Sequence, residues 1–263
     1  MFKVLFRVGR EFEEYEICRN YLPTTETRLD CKNCTVIARY SALPYYKELE
    51  DDLKYLDSNL INSYEQHSWI ANFDYYQELK DYTFRSWREH EFYAAPDNIR
   101  YVVKGVTNSR KNQWNKKMLA ENKQQALRIA SELKGDLLIG SQDIIYREYI
   151  PLLTFEVGIN DMPFSNEYRF FYYKKELVAY GYYWSTLDDL SQPFIDEEAF
   201  KLAETCSSIC SNFVNFYAID IAKTEKGPWV LVEVNDGQMS GLSMIDPDIF
   251  YSNLNKIIQQ NSY

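Results

Sequence analysis

Histidine is almost missing from this chain: His67 and His90 are its only two. Histidine-based acid–base chemistry and histidine-rich metal centres are therefore poor starting points. His67 lies in a Tyr- and Trp-rich helical stretch and reads as a packed or surface residue rather than a general base. Cysteine is scarce and odd in number. Cys18, Cys31, Cys34, Cys206 and Cys210 do not make a disulfide framework in a chain of 263 residues. Cys31 and Cys34 have metal-knuckle spacing, yet no second pair completes a zinc site. No apolar run approaches the ~18 residues that span a bilayer. The N-terminal MFKVLFRVGREFEE lacks the apolar centre and cleavage site of a signal peptide, so the expected location is the cytoplasm. Positive charge is also in deficit: the formal net charge is −10, which argues against nucleic acid or an anionic membrane as partner. GxSxG, HExxH, EF-hand, Walker A and GxGxxG patterns are all absent.

What is present begins with FYAIDIAKTEKGPWVLVEVNDG, residues 216–237, two β-rich runs around Lys226, Gly227 and Pro228. A loop of Glu225 to Pro228 pairs Thr224 with Trp229, Ala222 with Leu231 and Asp220 with Glu233. Alternation then sets Asp220, Glu233 and Asn235 on one face, and Ile219, Ile221, Val230, Val232 and Val234 on the core face. Two carboxylates directly opposite each other repel unless a positive charge sits between them. Oxygen ligands of this kind suit Mg²⁺, which takes one or two carboxylates and completes its shell with water and phosphates.

The second feature is KGVTNSRKNQWN, a reversal of the chain's overall sign. Lys104, Arg110, Lys111, Lys116 and Lys117 fall between Tyr101 and Ala120 with no Asp or Glu. Beside a carboxylate hairpin, such a flexible basic loop reads as a cover for a triphosphate rather than a solvated loop. Lys104 ends an apolar strand, from which it can reach phosphates or simply mark a strand edge. In IIYREYIPL the backbone around Tyr149 and Ile150 can meet an adenine edge, and Glu148 a ribose hydroxyl, beside Arg147. Arg169 alternates with Tyr168 and Phe170 on a strand. It suits a phosphoryl group in transit or an ordinary cross-strand salt bridge.

Coarse periodicity gives strands at Phe2–Val8, Thr35–Leu43, Arg100–Lys104 and Asp143–Ile150, and a strand pair around Lys174-Lys175-Glu176. Helices are expected over Tyr45–Leu56, Glu65–Tyr82, Lys116–Lys134, Asp196–Phe213 and Pro247–Gln260. The sequence leaves the oligomeric state open.

With these residues assembled, the chain resembles the ATP-grasp superfamily, and within it the bacterial and phage clade named for two arginines and one lysine. The resemblance runs from about residue 35 to 240, through IARYSALPYYKELEDDL, LINSYEQHSWIANFDYY, VVKGVTNSRKNQW, REYIPL, EYRFFYYKKELVAYGYYW and DIAKTEKGPWVLVEVNDG. It implies an α+β fold: an N-terminal α/β subdomain (1–95), a small lid subdomain (96–150) and a metal-binding subdomain (151–263), the last two enclosing an ATP cleft. It also implies that Lys104 contacts phosphates, that Arg147, Glu148, Tyr149 and Ile150 border adenine and ribose, and that Arg169 faces the γ-phosphoryl group. Asp220, Glu233 and Asn235 would hold Mg²⁺, with Lys104, Arg110 and Arg169 as the clade's cations, Arg147 competing with Arg110. The implied reaction is ATP-dependent ligation of a small-molecule or peptide carboxylate to an amine. A kinase on the same scaffold, or a nucleotide-binding module without turnover, are the alternatives.

Overall fold

Residues 1–7, 9, 12–137, 139–158, 161–185 and 187–261 are described by the computed structural model. Strands β1 (Phe2–Leu5), β2 (Thr24–Thr25), β3 (Thr35–Ala38) and β4 (Asn59–Leu60) form a parallel sheet in the order β2-β1-β3-β4. Parallel neighbours need crossovers, supplied here by helices α1 (Phe12–Cys18) and α2 (Tyr46–Lys54). Along α2, Tyr46, Leu49 and Leu53 recur at helical spacing and are buried with Val36 and Ala38 of β3 in one cluster. The helix expected from Glu65 to Tyr82 is instead two, α3 (Tyr64–Ala71) and α4 (Tyr75–Leu79). Phe73 between them has φ 64°, a conformation that no right-handed helix continues through. Ser63 and Gln66 cap the start of α3 reciprocally.

The second sheet is antiparallel, with order β5-β8-β6-β7 over β5 (Ser86–Arg88), β6 (Tyr101–Gly105), β7 (Leu119–Ala120) and β8 (Ile144–Glu148). It reaches back past residue 95, because β5 pairs with β8. The helix expected over Lys116–Lys134 is broken: α5 (Trp114–Lys117) stops, β7 pairs with β6, and α6 (Lys123–Leu133) begins at an Asn122 cap. Ala126, Ile129, Ala130 and Leu133 of α6 share a core with Tyr101, Val103 and Tyr146.

A hairpin of β9 (Thr154–Val157) and β10 (Pro163–Ser165) leads into the third sheet. That sheet is antiparallel, β12-β11-β13-β14, over β11 (Glu167–Tyr173), β12 (Glu176–Tyr182), β13 (Phe216–Lys223) and β14 (Trp229–Asp236). Helix α7 (Glu197–Cys210) supplies Ala199, Ala203, Cys206 and Cys210 to a core with Tyr168, Phe170, Ile219 and Ile221. On the opposite face, Phe171, Phe216 and Ala218 meet helix α8 (Pro247–Gln260), Val4 and Ile37 of the first sheet, and Phe6 just beyond β1. Side chains alternate along strands, so Glu167 and Arg169 share the face of Phe171, and Asp220 that of Ala218. That face turns from apolar to charged along its length. All five cysteines are free and buried.

The hairpin register differs from the expected one near its turn. Lys223 pairs with Trp229 and Ala222 with Val230, because the loop runs 224–228, with Gly227 at φ 112°. A bulge between Asp220 and Ile221 takes up the offset, and Asp220 still pairs with Glu233. Val230 and Val232 therefore leave the core face, where Trp229, Leu231 and Val234 stand instead. The sequence contains no turn residue that distinguishes the two loop lengths. It follows that Leu231→Asp, placing an unpaired charge at a site 0% exposed, costs roughly 3–5 kcal/mol in urea unfolding. Val232→Asp at its half-buried neighbour should cost about 1 kcal/mol or less; equal losses would refute the bulge.

Candidate functional site

A cleft of about 800 Å³, open to solvent, lies between the second and third sheets. Lys104 of β6 and Arg147 and Glu148 of β8 form one wall, followed by Tyr149 and Ile150; Ser165, Glu167, Val232 and Glu233 line it from the other side. Phe84, Met118, Met162 and Trp184 make it apolar enough for a flat ring.

The three expected ligand side chains converge, with the Asn235 amide nitrogen toward the two carboxylates. Asn235 Nδ2 lies 3.1 Å from Asp220 Oδ2 and 3.5 Å from Glu233 Oε2. Each carboxylate is met by a cation, which relieves the cross-strand repulsion. Lys104 Nζ donates to Glu233. Arg169 grips Asp220 through Nε–Oδ1 and Nη2–Oδ2, both 2.7 Å. Burial alone would raise the pKa of Glu233, but attraction from Lys104, then Lys111, holds it down to about 2. On Lys104 burial is the largest influence and lowers its pKa, with Glu233 opposing.

Two expectations need correction. Arg169 does not face the cleft as a free cation: Nη1 donates to the Gly241 carbonyl at 2.9 Å and the rest is taken by Asp220. The pairing sets Arg169 directly opposite Asp220, so the cross-strand salt bridge wins. Arg110 is turned away, bound through Nε and Nη2 to Asp136 beyond the end of α6. A buried carboxylate within reach is a stronger partner than solvent, and it draws Arg110 out of the cleft lining.

Arg147 takes the place in the cleft that Arg110 leaves. Its Nη1 donates to the Val232 carbonyl at 2.7 Å, the bulge residue, and its guanidinium lies over Phe84. Its Nε and Nη2 are buried without a hydrogen-bond partner. An orphaned charged donor of this kind is costly unless an anion arrives. Glu148 is held by Arg85, Nε–Oε2 2.7 Å, and the Tyr149 N–H by the Arg100 carbonyl at 2.9 Å. Ile150 N–H makes no hydrogen bond to another described residue.

Lys111, one of the cations of the basic loop, lines the cleft too, as does Glu167, which does not stand out as a site residue in the sequence. Lys111 Nζ donates to the Tyr183 hydroxyl at 2.7 Å and lies over Trp184. Burial works against its charge, but Tyr183, Glu167 and Glu233 outweigh it and raise its pKa. Burial pushes the Glu167 carboxyl up to about 7, against Lys111. The signal for Lys111 is present in the basic loop; nothing local distinguishes it from Arg110.

Among the described residues no group of three His, Cys, Asp or Glu side chains gathers as a metal cluster. The Asp220 and Glu233 carboxylates suit Mg²⁺, which takes one or two of them and leaves its other positions to water and phosphate; Asn235 would join through its amide oxygen once the amide turns. No helix among the described residues is long and apolar enough to cross a membrane.

Comparison with curated proteins gives no match. Among solved structures, D-cycloserine synthetase DcsG superposes with TM-score 0.65 at 12% identity, covering 98% of this chain and 100% of its own. D-alanyl-alanine synthetase A from Vibrio cholerae O1 biovar eltor gives TM-score 0.60 at 11% identity, with 99% and 98% covered. The ATP-grasp ligase PsnB, complexed with minimal precursor, Mg and ADP, gives 0.58 at 11% identity, with 99% and 98% covered. Likeness at such identities is likeness of fold. A family model describes an ATP-grasp domain, the third family of the clade named for two arginines and one lysine, and matches residues 85–254. That span holds the second and third sheets and every cleft residue named above except Phe84. The chain belongs to this ATP-grasp family.

Proposed function

We propose that the protein is an ATP- and Mg²⁺-dependent carboxylate–amine ligase that works through an acyl phosphate. The observation that carries this reading is the convergence of Lys104, Lys111 and the orphaned Arg147 on a cleft bordered by Glu233, whose partners Asp220 and Asn235 lie beside it. Cations on one side and oxygen ligands on the other are what phosphoryl transfer needs, more than acid–base groups. ATP-grasp ligase and synthetase neighbours support the reaction class, and the PsnB complex with Mg and ADP supports the cofactor.

In this reading the apolar jaws Phe84 and Trp184 hold the adenine, with the Ile150 N–H at its edge and Glu148 toward the ribose. Lys104, Arg147 and Lys111 bind phosphates. Asp220, Glu233 and Asn235 hold Mg²⁺, which offsets charge on the phosphate oxygens. Arg169 positions Asp220. A substrate carboxylate oxygen attacks the γ-phosphorus and ADP leaves; an amine nitrogen then attacks the acyl carbon and phosphate leaves. Arg147 and Arg169, with Lys104, are then the cations of the clade's name.

The test is ADP release with Mg-ATP over a panel of amino acids, dicarboxylates and acidic peptides. Release that requires both a carboxylate and an amine supports ligation, and a stable phosphorylated product would replace it with a kinase. Arg147→Met should weaken ATP binding by calorimetry at least about tenfold while changing urea stability little, since it removes two buried donors without partners along with the bond to Val232. Unchanged ATP affinity would remove Arg147 from the nucleotide site.

A further inference from the structure

Glu233 and Asn235 also border a second cavity, of about 740 Å³ and open to solvent. Its charge is opposite to that of the nucleotide cleft. Among the described residues, the acidic side chains that line it are Glu233 and Asp236, with no lysine or arginine, whereas the first cleft has Lys104, Lys111 and Arg147. Such a lining suits a cation. His67, from α3, lines the same cavity.

The setting of His67 is built rather than incidental. It is 4% exposed, and its ring stacks on Tyr46 with centroids 4.0 Å apart and planes 7° apart. Nδ1 lies 3.0 Å from Asp236 Oδ2. The other carboxylate oxygen accepts from Asn62 Nδ2 at 2.9 Å and from the Gln238 N–H at 3.0 Å, which fixes Asp236 in place. Against a carboxylate, Nδ1 is the donor, so the lone pair resides on Nε2. Nε2 has no hydrogen-bond partner among the described residues. A carboxylate that orients an imidazole and leaves its far nitrogen facing a substrate cavity is the arrangement of a proton acceptor.

We propose that this cavity receives the amine substrate in its ammonium form, and that His67 takes the proton that must leave before nitrogen can attack. The inference rests on the ligase reading above. The ammonium gives one proton to His67 Nε2, and the freed nitrogen pair bonds to the acyl carbon. The bond from that carbon to the phosphate oxygen breaks with its electron pair on phosphate, which takes the second nitrogen proton. Amide, hydrogen phosphate and imidazolium result. Asp236 is a positioning residue that fixes the tautomer and offsets the imidazolium charge.

The experiment compares wild type with His67→Asn on Mg-ATP and the same carboxylate panel, with amino-acid amines or with hydroxylamine as acceptor. Hydroxylamine attacks uncharged and needs no proton acceptor. Amide formation from ammonium acceptors should fall about 10²-fold or more in the variant, and hydroxamate formation far less. Hydroxamate turnover also shows that the variant is folded. Undiminished amide formation overturns the proposal and leaves the ligase standing; loss of hydroxamate as well makes His67 structural and overturns it. A wild type that forms neither product overturns the ligase and this proposal together. A second readout needs no turnover: ¹⁵N-histidine spectra, assigned with His90→Gln because the chain has only two histidines, should show the proton on Nδ1. A resting proton on Nε2 would also overturn the assignment.

Discussion

Glu233→Gln should lower Mg²⁺-dependent ADP release on the order of 10²-fold, with the fold retained. The amide matches the carboxylate in shape, so the packing around Asn235 and the bulge at Val232 is kept. What it loses is charge, and it loses it for two partners. Lys104 gives up its counter-ion, and the Asp220–Glu233–Asn235 set falls to a single carboxylate. Raised Mg²⁺ should recover part of the rate if Glu233 is a ligand. A role confined to holding Lys104 would not respond to metal. The pH dependence separates the two further. Glu233 is held to about 2 in the folded chain, below its ordinary range, so its stabilisation is complete above about pH 4.5 and disappears as pH falls toward 2. Acid unfolding of the variant should lack that component, whatever happens to turnover. A variant that releases ADP at the wild-type rate over the metal series would remove Glu233 from the site.

Much of this site can be read from residue order because it is built on antiparallel strands, where spacing dictates facing. The opposition of Asp220 and Glu233 follows from alternation alone, and it survives a wrong loop length because the bulge restores the register. The same bulge is why alternation misplaces Val230 and Val232 and underrates Leu231. A bulge is a response to packing around the strand: here Leu231 is tied through its N–H to the Tyr82 carbonyl and through its carbonyl to Thr83 Oγ1. Those partners are far removed in sequence. Arg110 and Lys111 illustrate the same limit. Adjacent cations in one basic loop are equivalent locally, and Asp136 draws one away while Tyr183 holds the other over the cleft. His67 reads as packing because its partner Asp236 is distant in sequence, and Tyr46 stacks on its face from another helix. The helix breaks at Phe73 and at β7 escape a reading by periodicity because the apolar pattern continues through them.

Breaking the Arg169–Asp220 pair should cost as much stability as a charge buried in the apolar core. Both side chains are buried, 7% and 1% exposed, and both ends of the fork are engaged. Asp220→Leu leaves a buried guanidinium without its forked partner, held by the Gly241 carbonyl, the Tyr183 ring and the field of Glu233, and should cost roughly 3–5 kcal/mol in urea unfolding. Arg169→Met leaves Asp220 to the Asn235 amide and next to Glu233, at a comparable cost. Joining the two changes removes both charges at once, so the double variant should be more stable than either single one, with a coupling of a few kcal/mol in the cycle. It should nevertheless fail to couple Mg²⁺ to ADP release. A pair kept for stability alone could be replaced by apolar side chains without loss of turnover; one kept to aim a ligand could not. Recovery of stability without recovery of metal-dependent turnover therefore shows that the pair is kept for the Asp220 carboxylate at the cation and not for stability, while Arg169 offsets its buried charge. Full turnover in the double variant would leave Asp220 without a role in the site.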